Sequence, residues 1–434
     1  MMKKPFALAL ALVMVLSLCA CGSEPAKTTE APKTSTEATK TTEAPAPQST
    51  AAPSESTAAP SESTAAPTPA SDYKVAMITD YGDITDQSFN QTTYEACKAF
   101  CEANGILFTY YKPAADSTAD RVGMVEKAVD DGFNVIVMPG YAFGGTIVEA
   151  APEYEDVKFV ALDVAAGDLL EAGVAAAGEQ YDYNPANWDL NKYVHMDNVY
   201  CAVYQEELCG YMAGYAAVKL GYTKLGFLGG MAVPAVVRYG FGFVQGADAA
   251  AKETGADVSI NYVYGGQFFG DADIKAKMDT WYAGGTEVVF ACGGGIYTSA
   301  VDAAKSANGK VIGVDVDQAG VIKNYAGVDG MTVTSAMKGL YPTTYNALED
   351  IIKNGKWSDY AGKIATLGLV SGTDPEANYV QIPMGDGTQW SDKFTKDDYK
   401  ALVADMFAGK VTVSNDISAM PAVSITVDDQ GQIK

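Results

Sequence analysis

Short apolar runs recur along the chain at 74–80 (KVAMITD), 134–140 (NVIVMPG), 158–163 (KFVALD), 224–230 (KLGFLGG), 287–295 (EVVFACGGG) and 310–317 (KVIGVDVD), each ending in Gly or Asp. Between most of them lie stretches of helical periodicity, such as 89–104, 119–132, 239–254 and 297–307. A continuously apolar strand is covered on both faces, so this alternation predicts parallel sheets flanked by helices. Two such sets occur, one before about Asp197 and one after, which predicts an α/β chain of two lobes. We assign 72–198 plus 339–356 to lobe 1 and 199–338 plus 357–434 to lobe 2. Ligands of open α/β sheets bind beyond the carboxyl ends of the strands. Asp80, Gly140, Asp163, Gly229, Gly293 and Asp315 end the predicted strands and so border a shared cleft.

The amino-terminal segment reads differently. Two lysines, an apolar run at 6–18 and small residues around Ala20-Cys21-Gly22 form a signal too short to span a bilayer comfortably. It resembles a bacterial lipoprotein signal: 1–20 is removed and Cys21 carries lipid. Small Ala20 precedes Cys21 whereas large Leu18 precedes Cys19, which favours Cys21 over ordinary secretion with that cysteine a bystander. From 21 to 71 the chain is almost wholly Ala, Pro, Ser, Thr, Glu and Lys with no aromatic residue after Cys21, and it cannot bury enough surface to offset ordering entropy. It is expected to be a disordered tether reaching on the order of 100 Å if largely polyproline-like. The working part is therefore expected on the outer face of a bacterial membrane, held by acyl chains.

Charge narrows the partners. Lys and Arg number 30 against 54 Asp and Glu, a formal net charge of −24 that loss of Lys3 and Lys4 makes two more negative. Such an envelope repels nucleic acid and anionic headgroups, and argues against polyphosphate ligands. The Gly293 to Gly295 run is not followed by Gly-Lys-Ser/Thr, so it is a poor phosphate loop. Five cysteines remain in the folded part, an odd number; Cys97 and Cys101, one helical turn apart, read as small buried hydrophobes. With His195 the only histidine, neither a metal site nor a Ser/His/Asp centre is expected, and no GxSxG or HExxH occurs.

One stretch carries a family likeness. ITDYGDITDQSFNQTTYEACKAF, with Asp86, Ser88, Phe89 and Asn90 at its core, resembles the start of the basic membrane protein family of lipoproteins, purine-nucleoside receptors of ABC importers. The likeness continues in order through KFVALD, DNVYCAVYQEELCGYMAGYAA, KLGFLGGMAVPAVVRYGFGFVQGADAA, EVVFACGGGIYTSAVDAAK, KVIGVDVDQ and TVTSAMK, and extends to FTKDDYKALVADMFAGKVTV. It covers nearly all of 72 to about 416 and implies a two-lobed periplasmic-binding-protein-like fold of type I.

The resemblance implies roles. Phe89 and Tyr239 match the aromatics that sandwich the purine, Tyr239 departing from the usual phenylalanine. Asn90 and Asp163 match the groups that read the base edge, favouring a purine with a protonated ring nitrogen such as inosine or guanosine. Asp80 and Asp315 match the ribose-binding carboxylates, Lys338 a lysine donating to the sugar, and Gly293 and Gly294 let backbone approach the ligand. It also implies permease subunits as partners, a monomer and no cofactor. Singly, each residue has a plainer use, as core aromatic, turn residue, cap or solvated charge.

Two rivals remain from the residues alone. Strand-end carboxylates and aromatics would suit a pentose or hexose receptor, and paired acids are compatible with a secreted glycoside-acting enzyme. Between Asp163 and Asp197 the stretch containing YDYNPANWDLNKY is longer than the resemblance leads one to expect, and Tyr181, Tyr183 or Trp188 reaches over the cleft or covers the surface. Ligand capture would proceed by lobe closure about crossings near Asp197 and Lys338.

Overall fold

The structure is a computed structural model that describes residues 72–433, all within one compact unit. The expected leader, the cysteine expected to carry lipid (Cys21) and the expected tether lie outside the described residues. The first half runs β1 (Val75–Ile78), α1 (Phe89–Asn104), β2 (Phe108–Tyr111), α2 (Thr118–Asp130), β3 (Val135–Pro139), α3 (Gly144–Ala150), β4 (Lys158–Leu162), α4 (Ala166–Ala176), α5 (Leu190–Tyr193) and β5 (Val199–Tyr204). The second runs α6 (Glu206–Lys219), β6 (Lys224–Gly229), α7 (Pro234–Thr254), β7 (Ser259–Tyr264), α8 (Ala272–Ala283), β8 (Val288–Cys292), α9 (Tyr297–Ala307), β9 (Lys310–Asp315), α10 (Ala319–Ala326) and β10 (Thr332–Lys338). α11 (Leu340–Leu348), β11 (Lys363–Leu367), β12 (Val380–Gln381), α12 (Lys396–Phe407) and β13 (Thr426–Gln432) complete it.

Two sheets result, as the apolar strands predict. The first has the order β11-β5-β4-β3-β1-β2 and is wholly parallel. The second has the order β12-β10-β9-β8-β6-β7-β13, with β12 alone antiparallel. The sheet membership moves two lobe boundaries: residues 199–204 and 363–367, assigned above to lobe 2, form β5 and β11 of the first sheet. VYCAVY passes into the next helix without a Gly, Pro or Asp to mark the strand's end, and β11 is half-exposed, so neither carries the signal of a buried central strand.

The chain crosses between sheets three times, around Gln205, Gly339 and 368–379. These crossings are tied to one another. The Gln205 N–H donates to the Leu367 carbonyl (2.9 Å), that of Tyr379 to Gly368 (3.1 Å), and that of Gly339 to Tyr379 (2.7 Å).

Beneath the crossings α6 and α7 lie backbone to backbone. A Cβ on Gly210 would stand 2.2 Å from the Tyr239 carbonyl oxygen, and on Gly214 2.1 Å from that of Phe243; reciprocally, Gly242 and Gly246 would meet those of Glu207 and Tyr211 at 2.1 and 2.0 Å. No side chain fits there, so four glycines set the spacing of the helices that carry Glu206, Arg238 and Tyr239. The five folded-part cysteines are all free and buried, Cys97 and Cys101 inside the apolar face of α1. In the long stretch after Asp163, Tyr181 packs on Tyr183 and Trp188 at 5.4 and 5.8 Å between ring centres, forming a small separate apolar cluster with α4.

Two measurements check this packing. Gly214→Val should lower unfolding free energy by on the order of 3 kcal/mol through overpacking, whereas Gly123→Ala, with open space around it in α2, should be neutral or slightly stabilising; equal effects would refute the close approach. Glu207 is 2% exposed, one of its oxygens has no partner, and burial pushes its carboxyl up to about 7. A raised acid favours the fold below its ordinary value of 4.5, and that contribution is lost as pH rises through about 7. Glu207→Gln should therefore melt a few degrees above the wild type at pH 8 and alongside it near pH 4.5.

Candidate ligand-binding site

A cavity of about 410 Å³ opens between the carboxyl ends of the two sheets, and Asp80, Phe89, Asn90, Asp163, Tyr239, Gly293, Gly294, Asp315 and Lys338 all line it. They gather because β1, β4, β9 and β10 all end there, and because α1 and α7 start from the loops that follow β1 and β6. Asp163 and Asp315 follow or end strands at equivalent places in the two sheets, and both take left-handed backbone (φ 59° and 64°), which aspartate tolerates better than most residues.

The Asp-x-Ser-Phe-Asn segment is organised by Asp86. Its carboxylate accepts from the backbone N–H groups of Ser88 (2.9 Å), Asn90 (2.9 Å) and Gln91 (3.0 Å), satisfying the open first turn of α1. Ser88 is thereby spared a capping role, and its hydroxyl donates to Asp315 Oδ2 in the opposite lobe at 2.5 Å. Beside it, Gln318 Nε2 donates to the Gln87 carbonyl (3.1 Å), and the Tyr81 and Tyr141 hydroxyls reach Met231 Sδ at 3.4 and 3.7 Å. The lobes are in contact around the cavity.

Charge runs through the floor as an alternating chain. The Lys338 ammonium, from the end of β10, donates to Asp163 Oδ2 across the lobes at 2.5 Å and stands 3.1 Å from Glu206 Oε1. Glu206 in turn accepts from Arg238 Nε at 2.6 Å. The ammonium also lies 5.1, 5.3 and 5.4 Å from the ring centres of Phe89, Tyr204 and Tyr239. Burial opposes its charge, but the Asp163, Glu206 and Asp315 carboxylates outweigh that and hold it protonated well above the usual lysine range. For Asp163 burial wins over Lys338, and its carboxyl is pushed up to about 6.

Hydrogen bonding divides the predicted residues into satisfied and unsatisfied. Asn90 Nδ2 is held 3.2 Å from both Asp80 Oδ1 and Asp86 Oδ2, so the amide presents only its oxygen, and that buried Oδ1 has no partner. Asp163 Oδ1 is likewise buried and unpartnered. Asp80 Oδ1 accepts from the N–H groups of Tyr81 (2.6 Å) and Gly82 (2.7 Å) as well as Asn90. Unmet acceptors so deeply placed are costly until a donor is supplied.

Several expectations change in detail. Tyr239 is not an open aromatic wall: its ring is 2% exposed, lies edge-on to Phe290 at 6.0 Å and 85°, and directs its hydroxyl to Asp315 Oδ1 at 3.2 Å. Lys338 is committed to protein carboxylates. Gly293 and Gly294 make room for Phe268 in the first instance, since a Cβ on them would come within 2.8 Å of its ring and 2.9 Å of its carbonyl oxygen. Phe268, after β7, and Arg238 also line the cavity and escape sequence reading. An aromatic pair in YGGQFFG and an arginine beside Tyr239 were the available signals. Tyr181, Tyr183 and Trp188 do not line the cavity, and His195 borders a separate depression with Glu155, Asp156 and Trp357.

Removing the bridging cation should expose its role. Lys338→Met strands two buried carboxylates and should lower unfolding free energy by about 3–5 kcal/mol, with part recovered in the Asp163→Asn, Lys338→Met double variant; strictly additive losses in chemical denaturation would count against the interlobe pair.

Comparisons with known proteins agree with this architecture. Solved solute-binding proteins of ABC transporter systems from Aeropyrum pernix (TM-score 0.56, 19% identity, 80% of this chain and 88% of that one) and Conexibacter woesei (0.55, 20%, 79% and 99%) share the fold. In sequence the chain is 27% identical over 358 residues to the ABC transporter nucleoside-binding protein BmpA of Lactococcus lactis subsp. cremoris, covering 79% of this chain and 89% of that protein. It is 25% identical over 315 residues to an uncharacterized lipoprotein of Pyrococcus furiosus, covering 70% of each, and 25% identical over 333 residues to basic membrane protein B of Borreliella burgdorferi, covering 71% and 83%. No helix among the described residues is long and apolar enough to cross a membrane. A family model for PnrA-like ABC transporter substrate-binding proteins matches residues 73–373. The chain therefore belongs to that PnrA-like family of transporter receptors, which are not enzymes.

Proposed function

We propose that this protein is an extracytoplasmic lipoprotein, anchored through Cys21, that captures a purine nucleoside of the inosine or guanosine kind and delivers it as a monomer to the permease of an ABC importer. The observation that carries the reading is the pair of buried, unpartnered acceptors, Asn90 Oδ1 and Asp163 Oδ1, in one cavity with the half-exposed face of Phe89. A purine with a protonated ring nitrogen brings the N–H groups such acceptors lack, and its flat ring suits an aromatic face. Phe89 from one lobe and Phe268 from the other supply apolar surface, while Asp80 and Asp315 lie along the same cavity for the sugar. The Lactococcus relative's description as nucleoside-binding supports the ligand class. Contacts from both lobes stabilise the closed form when ligand is present, and closure presents the loaded receptor to its permease.

Intrinsic fluorescence of the purified protein titrated with guanosine, inosine, adenosine, ribose and galactose tests the reading. Guanosine or inosine should saturate at micromolar concentration or below, and Phe89→Ala should weaken binding by about tenfold or more, as loss of a stacking face does. Saturation by ribose or galactose with no response to any nucleoside would replace the nucleoside with a sugar.

A further inference from the structure

The cavity is unevenly prepared for a ligand. Asn90 Oδ1 and Asp163 Oδ1 are buried without partners, so a ligand lacking donors there leaves them unmet. Asp315 differs. It is 5% exposed, yet both its oxygens already receive hydroxyl donors from the protein, Oδ2 from Ser88 (2.5 Å) and Oδ1 from Tyr239 (3.2 Å). A binding site rejects an analogue missing one hydroxyl chiefly because a buried group built to meet that hydroxyl is left unpaired. Here the protein meets it.

Tyr239 is held in place by its surroundings. Its ring is 2% exposed, edge-on to Phe290, with the Lys338 ammonium 5.4 Å from the ring centre, and its backbone is pinned against Gly210 of the neighbouring helix. A carboxylate oxygen can accept more than one hydrogen bond, so Asp315 can still receive a sugar hydroxyl without depending on it. We infer that this receptor takes 2′- and 3′-deoxynucleosides about as well as ribonucleosides, and that the Tyr239 hydroxyl is the group that sets this tolerance. The inference rests on the nucleoside reading above, with the sugar against Asp315. Discrimination at Asp315 then does not turn on a sugar hydroxyl, and the unmet acceptors that remain face the N–H donors of the base.

Calorimetric titration of the intact protein with guanosine, 2′-deoxyguanosine and 3′-deoxyguanosine separates the possibilities. The wild type should bind all three within about threefold, since Asp315 keeps its Ser88 and Tyr239 donors and Asp80 its backbone N–H donors after either deletion. Tyr239→Phe, which removes one oxygen and leaves the ring in place, should widen the ratio of guanosine affinity to that of at least one deoxynucleoside to about tenfold or more, whatever happens to guanosine itself, the scale of a lost hydrogen bond to a charged group. A wild-type preference for guanosine of tenfold or more over either deoxynucleoside overturns the inference, whether or not the variant folds. So does a folded Tyr239→Phe protein whose ratios are unchanged. If none of the three binds, the nucleoside reading itself falls and takes the inference with it.

Discussion

A lysine ammonium sealed from water at the junction of two lobes must find its counter-charges on both sides, and that requirement organises the centre of this molecule. Lys338 belongs to the second sheet, Asp163 follows a strand of the first, and Glu206 sits at the first crossing between them. Desolvation makes such a cation expensive alone, so its partners are fixed in place: Arg238 braces Glu206, and aromatic faces surround the ammonium. The glycine-lined contact of α6 and α7 brings Glu206 and Arg238 close enough to pair. Lys338 and Asp163 thus both tie the lobes together and line the cavity.

Those side chains sort into groups that the protein satisfies itself and groups it leaves wanting. Asp86, Asp315 and Lys338 have internal partners; Asn90 and Asp163 each keep one acceptor unmet. A site of this kind stores its selectivity where the unmet atoms are, because only there does the wrong ligand leave a buried polar group stranded. The family assignment explains the scaffold, whereas the particular pattern of met and unmet atoms belongs to this chain.

Much of the architecture was legible in the apolar runs. Central strands such as 135–139 and 288–292 are buried on both faces and read as unbroken hydrophobic segments, and because parallel strands all end on one side, their terminal Asp and Gly residues marked the cleft, except Gly229, which does not line the cavity. Edge strands such as Phe108–Tyr111 and Thr426–Gln432 are partly exposed and carry no such run. The nine proposed residues were found together, but their roles were less legible. That Ser88 would meet Asp315, or that Tyr239 would turn its hydroxyl to the same carboxylate, depends on pairings 227 and 76 positions apart that no local pattern encodes. Phe268 was missed for a related reason: it is placed by the glycines of other strands and not by periodicity in its own loop.

The three crossings have a mechanical consequence. Gln205, Gly339 and the 368–379 segment are hydrogen-bonded side by side into one narrow band. Separate threads would let the lobes twist as well as fold, but a bonded ribbon resists torsion and bends chiefly across its width. Opening and closing should therefore follow a single axis, and the two halves of the pocket return to the same registration each time they meet.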